Sequence, residues 1–317
     1  MRVLVTGGSG YIGSHLMAAL AGRPQVEEIV DLDLNPPRQK IPKVRHVQRS
    51  ISEDLRDVFT DPQRPVDVAM HLAWLVDPLR DAGRQRAICI GGSERFLEGC
   101  AAGNVRHVFF MSSATAYGAN PAHRAPLDES EPLKERYHFQ YSAEKREAEG
   151  LFQRFAAERP GTLLQLARPC IVAGPNVSNF IFRSLEKAVA PLPSGDAELQ
   201  FVHEEDCGAA LLAIVESRVP GAFNVAGDGV LRLSAIASRV GTRLLPLPLP
   251  IAYGLCGLAW RAGWTSLTES PPGNLYFVKY PWLVSNRRLK EDVGFRFRFT
   301  SEQTLDAYRL SRHMASA

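Results

Sequence analysis

Three glycines near the N-terminus lie between an apolar run and a helical pattern, and they constrain the fold more than any other feature. The run at 2–6 predicts a strand, and the spacing of apolar residues at 11–21 predicts a helix. Gly7 and Gly10 carry no Cβ, so backbone N–H groups can approach an anion there, while Gly13 permits close packing of helix on strand. A helix N-terminus adds unpaired N–H groups and partial positive charge. This turn therefore predicts a site for the pyrophosphate of a dinucleotide.

An acid at the end of the second apolar run indicates which dinucleotide is bound. Asp33 lies 20 residues beyond Gly13. A carboxylate at this point can accept hydrogen bonds from both adenine-ribose hydroxyls and repel a 2′-phosphate. The sequence therefore favours NAD over NADP. Asp31 is the alternative acid if the strand ends earlier, and Arg38 and Lys40 keep NADP open.

Apolar runs alternate with helical patterns through the first half of the chain. This alternation predicts an α/β fold with a Rossmann-type, doubly wound parallel sheet. The predicted strands lie at 2–6, 28–32, 44–47, 66–72, 105–111 and 163–167. The predicted helices lie at 11–21, 55–59, 85–102 and 137–158.

The alternation weakens after Pro169, which predicts a second and smaller domain that binds substrate. The later predicted elements are a helix at 179–190, a Pro- and Gly-rich loop at 191–195, a strand at 199–202, a helix at 204–217 and a strand at 222–225. The expected nucleotide-binding domain comprises 1–170, with 198–226 returning to it. The expected discontinuous C-terminal substrate-binding domain comprises 171–197 and 227–317.

Composition and charge indicate a soluble globular protein with a small-molecule substrate. Of 317 residues, 45% are hydrophobic and 22% are charged, and 37 basic against 34 acidic side chains give a net charge of +3. Because charges of both signs are mixed along the chain, we expect no nucleic acid partner. The stretch at 251–264 is largely apolar but shorter than the ~20 residues of a bilayer span. We expect a buried or interfacial helix there and no membrane partner.

The five cysteines are scattered along the chain, and none forms a Cys-x-x-Cys pair. They indicate neither a disulfide framework nor a zinc site, and we expect no metal. The N-terminus runs directly into a strand pattern, without the basic start and apolar core of a secretion signal. A reducing, cytoplasmic setting fits these features best.

A serine, a tyrosine and a lysine follow the fifth predicted strand in a pattern suited to acid–base chemistry. Ser113 stands at the strand end, Tyr141 follows 28 residues later on the long predicted helix, and Lys145 lies one turn beyond it. Residues at i and i+4 share a helical face, so the ammonium, together with the cationic nicotinamide of an oxidised cofactor, can stabilise phenolate and lower the tyrosine pKa from its ordinary ~10. Tyr141 then serves as general acid or base, and Ser113 hydrogen-bonds the same substrate oxygen. The alternative is a solvated helix with an amphipathic tyrosine.

With these motifs the chain resembles the extended short-chain dehydrogenases/reductases, and within them the NAD-dependent epimerase/dehydratase family. The resemblance covers nearly the whole chain. It rests on 6–13, His71-Leu72-Ala73, Ser113, Tyr141, Lys145, Arg168-Pro169, Gly174-Pro175, Phe201-Val202-His203-x-x-Asp206 and Phe223-Asn224-Val225-Ala226-Gly227. It implies a Rossmann domain with a smaller substrate domain, and a cofactor bound across the strand ends.

The resemblance also implies the residues of each site, with Ser113, Tyr141 and Lys145 acting on a hydroxyl or carbonyl. The implied contacts of the cofactor, NAD rather than NADP, are Gly7, Gly10, Tyr11, Ile12, Gly13, Asp33, Ser50, Ile51, Leu72, Ala73, Tyr141, Lys145, Pro169 and Ile171. The expected substrate contacts are Trp74, Ala114, Thr115, Tyr117, Asn179 and Phe180. Packing is the alternative role for Trp74 and Tyr117. The family further implies a homodimer.

Departures from the family pattern bear on the reaction. Ser50 replaces an acid that often contacts adenine, and Ile88 replaces a helix asparagine of the proton relay. The pair Ala114-Thr115 lacks the carboxylates of sugar dehydratases, which disfavours loss of water. Leu199 stands where an arginine commonly holds a nucleoside diphosphate, whereas Asn179 matches the asparagine found near that diphosphate.

We therefore expect an NAD(P)-dependent enzyme that transfers hydride at a C–OH or C=O centre. Among such reactions, epimerisation of a nucleotide-linked sugar is favoured by a small margin. A carbonyl reductase or alcohol dehydrogenase of the same family is the alternative, favoured by Leu199. A non-catalytic dinucleotide-sensing protein is the third hypothesis, and the intact Ser113, Tyr141 and Lys145 argue against it.

Overall fold

The computed structural model describes residues 1–124, 126–193 and 195–316, with side chains as far as residue 312. Ser194 of the loop predicted at 191–195 lies outside the described residues, as do Ala125 and Ala317 of the predicted domains. The strands are β1 (Arg2–Thr6), β2 (Glu28–Asp33), β3 (Val44–Gln48), β4 (Val68–His71), β5 (His107–Met111), β6 (Leu163–Pro169), β7 (Ile171–Ala173), β8 (Val189–Pro193), β9 (Glu198–Leu199), β10 (Phe201–His203), β11 (Gly221–Val225), β12 (Leu231–Arg232) and β13 (Arg243–Leu247). The helices are α1 (Tyr11–Ala21), α2 (Arg56–Phe59), α3 (Ala82–Ala102), α4 (Gln140–Ala157), α5 (Phe180–Leu185), α6 (Glu204–Ser217), α7 (Leu233–Val240), α8 (Leu249–Ala262), α9 (Arg287–Asp292) and α10 (Ser301–Ser316), and 3₁₀ turns lie at Ala114–Tyr117 and Pro272–Tyr276.

A parallel sheet of 7 strands forms the centre of the protein, in the order β11-β6-β5-β4-β1-β2-β3. The chain runs outward from β1 to β3 on one side and from β4 to β11 on the other, so the strand order reverses between β1 and β4. In such sheets ligands bind outside the carboxyl ends of the strands at this reversal. The Rossmann-type, doubly wound parallel sheet predicted from the sequence is confirmed. The predicted domain boundaries stay a prediction.

The predicted elements of the first half are all present, with small shifts at their ends. The helix predicted at 179–190 is wrong beyond Leu185, where α5 ends, and residues from Val189 form strand β8. Pro191 and Pro193 explain the difference, because proline removes a helix N–H and disfavours helical geometry in the residue before it. The loop predicted at 191–195 is therefore strand as far as Pro193, and it pairs with β13.

The strand predicted at 199–202 is two short strands that belong to different small sheets. Strand β9 pairs with β12, whereas β10 pairs with β7 next to the end of the central sheet. The apolar stretch predicted at 251–264 is helix α8, which has a proline in its first turn. No helix among the described residues is long and apolar enough to cross a membrane.

Helices cover both faces of the central sheet, so its strands are apolar on both sides. On one face, Val3 and Val5 belong to a buried cluster that includes residues of α1 and α6. On the other face, Leu4 packs in a cluster with residues of α2, α3 and α4. There Phe110 of β5 stacks on Phe152 of α4, with ring centroids 4.5 Å apart. This two-sided burial holds the carboxyl ends of the strands in fixed register.

His71, at the end of β4, is a core residue. Its Nδ1 lies 2.7 Å from Thr6 Oγ1, and its Nε2 lies 3.2 Å from Ser93 Oγ. Burial lowers the pKa of His71 to about 3, so the imidazole is neutral at physiological pH. Its hydrogen bonds join β1, β4 and α3 below the catalytic edge.

A buried ion pair ties α4 to the sheet under the same edge. Arg168 of β6 donates from Nε and Nη2 to the two carboxylate oxygens of Glu149, at 2.9 and 2.7 Å. Its Nη1 also donates to the Tyr117 hydroxyl at 2.8 Å. Both charged side chains are almost completely buried. Bidentate geometry and full pairing make such a buried charge tolerable.

Removing one partner of this pair is expected to be more harmful than removing both. Arg168→Met leaves the Glu149 carboxylate buried without its cation, which costs about 3–5 kcal/mol of unfolding free energy. The double variant Arg168→Met with Glu149→Leu leaves no unpaired charge, so we expect it to recover most of that loss. Urea unfolding of the wild type, both single variants and the double variant measures this. Equal unfolding free energies for wild type and Arg168→Met would contradict the assignment.

Candidate active site

The glycine turn after β1 has the geometry of an anion cradle. Gly7 has φ of 72°, and a Cβ there would lie 2.6 Å from the backbone of Ala73. A Cβ on Gly13 would lie 2.1 Å from the Gly7 carbonyl oxygen. Helix α1 starts at Tyr11 without a side-chain cap or an acidic residue in its first turn. The free N–H groups of α1 and the absence of Cβ atoms fit a pyrophosphate at this point.

The end of β2 separates the two candidate acids. Asp31 is fully buried and accepts hydrogen bonds from Ser9 Oγ at 2.7 Å and from His46 Nδ1 at 2.9 Å. Asp33 is partly exposed and accepts a hydrogen bond from the Asn35 backbone N–H at 3.0 Å. Burial raises the pKa of Asp33, and the neighbouring Asp31 contributes to the rise. The placement supports Asp33 as the acid that meets the adenine ribose.

The adenine side is closed by the segment after β3. Ile51 is buried, and a Cβ on Gly92 of α3 would lie 2.5 Å from its Cδ1. Gly92 therefore makes room for Ile51. Ser50 has a backbone N–H that donates to Glu53 Oε1 and a hydroxyl that accepts from the Ser52 N–H at 3.1 Å. Ser50 thus shapes the turn, and Ile51 supplies an apolar surface.

The structure brings Ser113, Tyr141 and Lys145 together at the carboxyl end of β5. The Ser113 hydroxyl lies close enough to the Tyr141 phenol to affect its pKa, and it accepts a hydrogen bond from Thr115 Oγ1 at 2.9 Å. Lys145 is buried, and its Nζ donates to the Met111 carbonyl at 2.7 Å. The same Nζ lies 3.8 Å from the centroid of the Trp74 ring and 5.9 Å from that of Tyr141. The ammonium is therefore held by a carbonyl and an aromatic face.

Burial shifts the pKa of both ionisable groups towards the uncharged form. It raises the pKa of Tyr141 above its ordinary value, against the opposing effect of the Ser113 hydroxyl. Burial lowers the pKa of Lys145 to about 7. In the protein without its cofactor, burial therefore outweighs any lowering of the tyrosine pKa by Lys145. The expected lowering in the presence of oxidised NAD stays a prediction.

The segments predicted to hold the nicotinamide end lie at the same edge. The Leu72 N–H donates to the Thr6 carbonyl at 3.0 Å, which places Ala73 against the glycine turn. Pro169 ends β6 and Ile171 begins β7, and the N–H between them, on Cys170, donates to the Val225 carbonyl at 3.0 Å. Their contact with a cofactor stays a prediction that this placement supports.

The predicted substrate contacts fall into two groups. Trp74 and Thr115 lie beside the catalytic side chains. Ala114 and Tyr117 are fully buried, so neither offers a surface to a substrate. The Tyr117 hydroxyl donates to Asn224 Oδ1 at 3.0 Å and belongs to the Arg168 network. For Tyr117 the packing alternative is confirmed, because its hydrogen-bonding capacity is used within the core.

The other two predicted contacts lie at the start of α5. The Asn179 side-chain oxygen accepts hydrogen bonds from the Ile181 and Phe182 N–H groups, at 3.0 and 3.2 Å. Its oxygen is therefore used as a helix cap. Phe180 is buried, and its N–H donates to Asp77 Oδ1 at 2.9 Å. The Asn179 amide nitrogen remains available for a ligand.

Two residues of the site were missed by sequence reasoning. Cys89 of α3 lies close enough to Tyr141 and Lys145 to affect the pKa of both groups. Burial raises the pKa of Cys89 to about 11, so its thiol stays uncharged. Glu204 accepts a hydrogen bond from the Tyr11 hydroxyl, although 193 residues separate them. The acids at 204–206 indicated a helix start, but no local pattern indicates a contact over that distance.

The cradle depends on the absence of a Cβ, so a single methyl group should disrupt it. Gly13→Ala places Cβ where the Gly7 carbonyl now lies, and we expect NAD affinity to fall by about tenfold or more. Gly91→Ala is the matched control, because nothing lies within 4 Å of its Cβ position on α3. That control should bind NAD normally and gain ~1 kcal/mol of helix stability. Calorimetric titration with NAD measures both, and unchanged affinity in Gly13→Ala would refute the cradle.

The burial of Lys145 should lower stability in a pH-dependent way. Its folded-state pKa of about 7 lies below its ordinary value of ~10.4, so between these values the unfolded chain binds more protons. The loss of unfolding free energy is complete below the folded-state pKa, and it disappears as the pH rises through the pKa of the unfolded chain. Lys145→Met should therefore melt at a higher temperature than wild type at neutral pH, with a gain that shrinks towards pH ~10. Lys40→Met, at an exposed lysine, should show no such trend.

Comparison with known proteins places this site in a family. A model of the NAD dependent epimerase/dehydratase family matches residues 3–226. The chain is 24% identical over 313 residues to an uncharacterised protein of Mycobacterium tuberculosis, covering 96% of this chain and 82% of that protein. It is 24% identical over 331 residues to the 4-hydroxy-2-methyl-3-oxo-4-farnesyl-3,4-dihydroquinoline-1-oxide ketoreductase of Stigmatella aurantiaca, covering 98% and 96% of the two chains.

The fold is also that of solved structures. UDP-glucuronic acid 4-epimerase from Bacillus cereus, in complex with NAD, is similar at a TM-score of 0.75 and 16% identity, covering 100% of both chains. The segment that the family model matches, residues 3–226, includes the glycine turn, the predicted catalytic residues and β11. The protein therefore belongs to the NAD-dependent epimerase/dehydratase family.

Proposed function

We propose that this enzyme interconverts a secondary alcohol and a ketone by hydride transfer, with Tyr141 exchanging the proton on the substrate oxygen. The observation that carries the proposal is the placement of Ser113 and the buried Lys145 around the Tyr141 side chain, with Lys145 Nζ 5.9 Å from the centre of its ring. NAD, when bound, accepts or supplies the hydride. Ser113 orients the substrate oxygen towards the phenol. Lys145 is near enough to stabilise negative charge as it develops on that oxygen.

The protonation state of Tyr141 favours the direction of ketone reduction. Because burial raises its pKa, the phenol is protonated at neutral pH. A protonated phenol can donate to the oxygen of a ketone as hydride arrives at carbon. Oxidation of an alcohol would first require loss of that proton. The Cys89 thiol nearby, which stays uncharged, does not promote this loss.

The substrate side favours a carbonyl reductase or alcohol dehydrogenase over a nucleotide-sugar epimerase, which the sequence ranked narrowly first. Leu199 is buried and pairs in strand register with Leu231, so this position offers no cation for a diphosphate. Trp74 adds an apolar ring beside the catalytic set. One relative that matches over nearly the whole chain is named a ketoreductase, which agrees with this ranking.

Epimerisation of a nucleotide-linked sugar remains the second candidate. It is favoured by Asn179, whose amide nitrogen is free to meet a diphosphate while its oxygen caps α5. In an epimerase the cofactor is regenerated in each turnover. The two functions therefore differ in whether free cofactor is consumed.

Location and assembly are part of the same proposal. All five cysteines carry free thiols, which supports a reducing compartment and hence the cytoplasm. We also propose a homodimer, as the family resemblance implies.

Tyr141→Phe should lower kcat by about 10²–10⁴ while leaving most NAD binding intact, because it removes the hydroxyl that exchanges the proton and keeps the ring. The assay follows nicotinamide absorbance with NADH and a panel of aliphatic and aryl methyl ketones. UDP-glucose and UDP-glucuronic acid are tested in parallel by chromatography of the sugar products. Tyr253→Phe, on the partly exposed surface of α8, is the matched control and should retain full activity.

The outcomes separate the candidates. Stoichiometric loss of NADH with a ketone supports the reductase. Formation of an epimer without net absorbance change supports the second candidate instead. Equal activity of Tyr141→Phe and wild type on any substrate would remove Tyr141 from the mechanism.

A further inference from the structure

Helix α8 carries a face of large apolar side chains that point into solvent. Ile251, Leu255 and Leu258 follow one another at intervals of four and three residues, so they form a single stripe. The turn after the helix adds Trp264 and Leu267. These five side chains are 52% to 65% exposed. We call them the apolar α8 face; contiguous exposed patches of this kind mark interaction sites.

The apolar α8 face is held rigidly in its outward orientation. Ala252 and Ala259, about a quarter turn around the helix from this stripe, are buried against the protein. The following turn folds back along the helix, because the Trp264 N–H donates to the Ala259 carbonyl at 2.9 Å. Lys187 fixes the same turn by donating from Nζ to the Thr265 carbonyl at 2.8 Å. The exposed leucines are therefore the outer side of a packed helix.

The sequence that forms this face is rich in arginine and lacks acidic residues. The sequence contains no aspartate or glutamate between Asp228 and Glu269, a stretch that includes Arg232, Arg239, Arg243 and Arg261. Arg243 begins the strand that leads into α8, and Arg261 lies in its last turn. Both are exposed, and neither forms an ion pair with any side chain that the structure describes. Glu269 is neutralised by Arg183 at 2.5 Å.

We propose that the apolar α8 face binds the surface of a membrane that contains anionic lipids. An interfacial helix buries its apolar face among the acyl chains and glycerol groups, while nearby arginines are attracted to anionic headgroups. Trp264 lies at the end of the helix, and tryptophan is favoured at this boundary. The helix would lie in the plane of the surface without crossing the bilayer. This revises the expectation of no membrane partner, which considered only a spanning segment.

Charge complementarity favours a membrane over a second copy of the chain. In a twofold dimer the same patch meets itself, so residues near its centre oppose their own copies. A second copy of the patch would then supply no acid to pair with Arg243 and Arg261, because none lies between 229 and 268. An anionic lipid surface offers the opposite charge to every arginine of the patch.

The test is flotation of the purified full chain with vesicles. One set contains phosphatidylcholine and phosphatidylglycerol in equal parts, and the other contains phosphatidylcholine alone. We expect binding to the first set, weakened by salt, and little binding to the second. Leu255→Ser combined with Leu258→Ser should weaken binding by roughly tenfold or more, because it removes buried apolar surface. Leu310→Ser, at an exposed leucine of α10, is the matched control and should bind as wild type.

A second pair of variants tests the charge independently of the helix. Arg243→Gln combined with Arg261→Gln should reduce binding to the anionic vesicles by roughly tenfold. Arg296→Gln, at an exposed arginine elsewhere, should not change it. Circular dichroism checks that each variant is folded. Failure of the wild type to float with anionic vesicles would overturn the proposal. So would a solution dimer that the leucine variants convert to monomer, since this would assign the face to a second copy.

Discussion

The close approach of the β1–α1 turn to the end of β4 is the contact on which the rest of the site depends. A Cβ on Gly7 would lie 2.6 Å from the Ala73 backbone, so only glycine permits this spacing. The approach lets α1 begin above the point where the strand order reverses, with its N–H groups free. It also fixes Ala73, and the next residue, Trp74, then lies over Lys145. The anion cradle and the catalytic lysine are thus joined through two consecutive residues.

Burial of Lys145 lowers the stability of the folded protein. Its ammonium is buried against a carbonyl and an indole face, without a carboxylate in direct contact. A buried charge in such surroundings loses part of its stabilisation by water, which depresses its pKa. The arrangement therefore places a readily uncharged amine next to a protonated Tyr141. Stability is given up at the position where the chemistry requires these groups.

Sequence reasoning reached the central sheet and the catalytic set because both are local patterns. Strand and helix periodicity, the glycine spacing and the i, i+4 pair at Tyr141 and Lys145 are each contained in a short window. It failed where a distant contact decides the outcome. Tyr117 follows the catalytic strand end, yet Arg168 and Asn224 hold it in the core. The raised pKa of Tyr141 in the protein without cofactor could not be read from a short window either, since it comes from burial by the surrounding fold.

The predicted nucleotide side and the predicted substrate side of the cleft are lined by different kinds of group. On the nucleotide side the main recognition elements are backbone N–H groups and missing Cβ atoms, so they are independent of side-chain chemistry. On the substrate side they are side chains, and here apolar groups stand at Leu199 and Trp74. The helix α8 continues this trend on the outer surface, where exposed leucines contribute nothing to the core. An apolar substrate and an apolar docking face are consistent with each other, because a molecule poorly soluble in water is concentrated where lipid is.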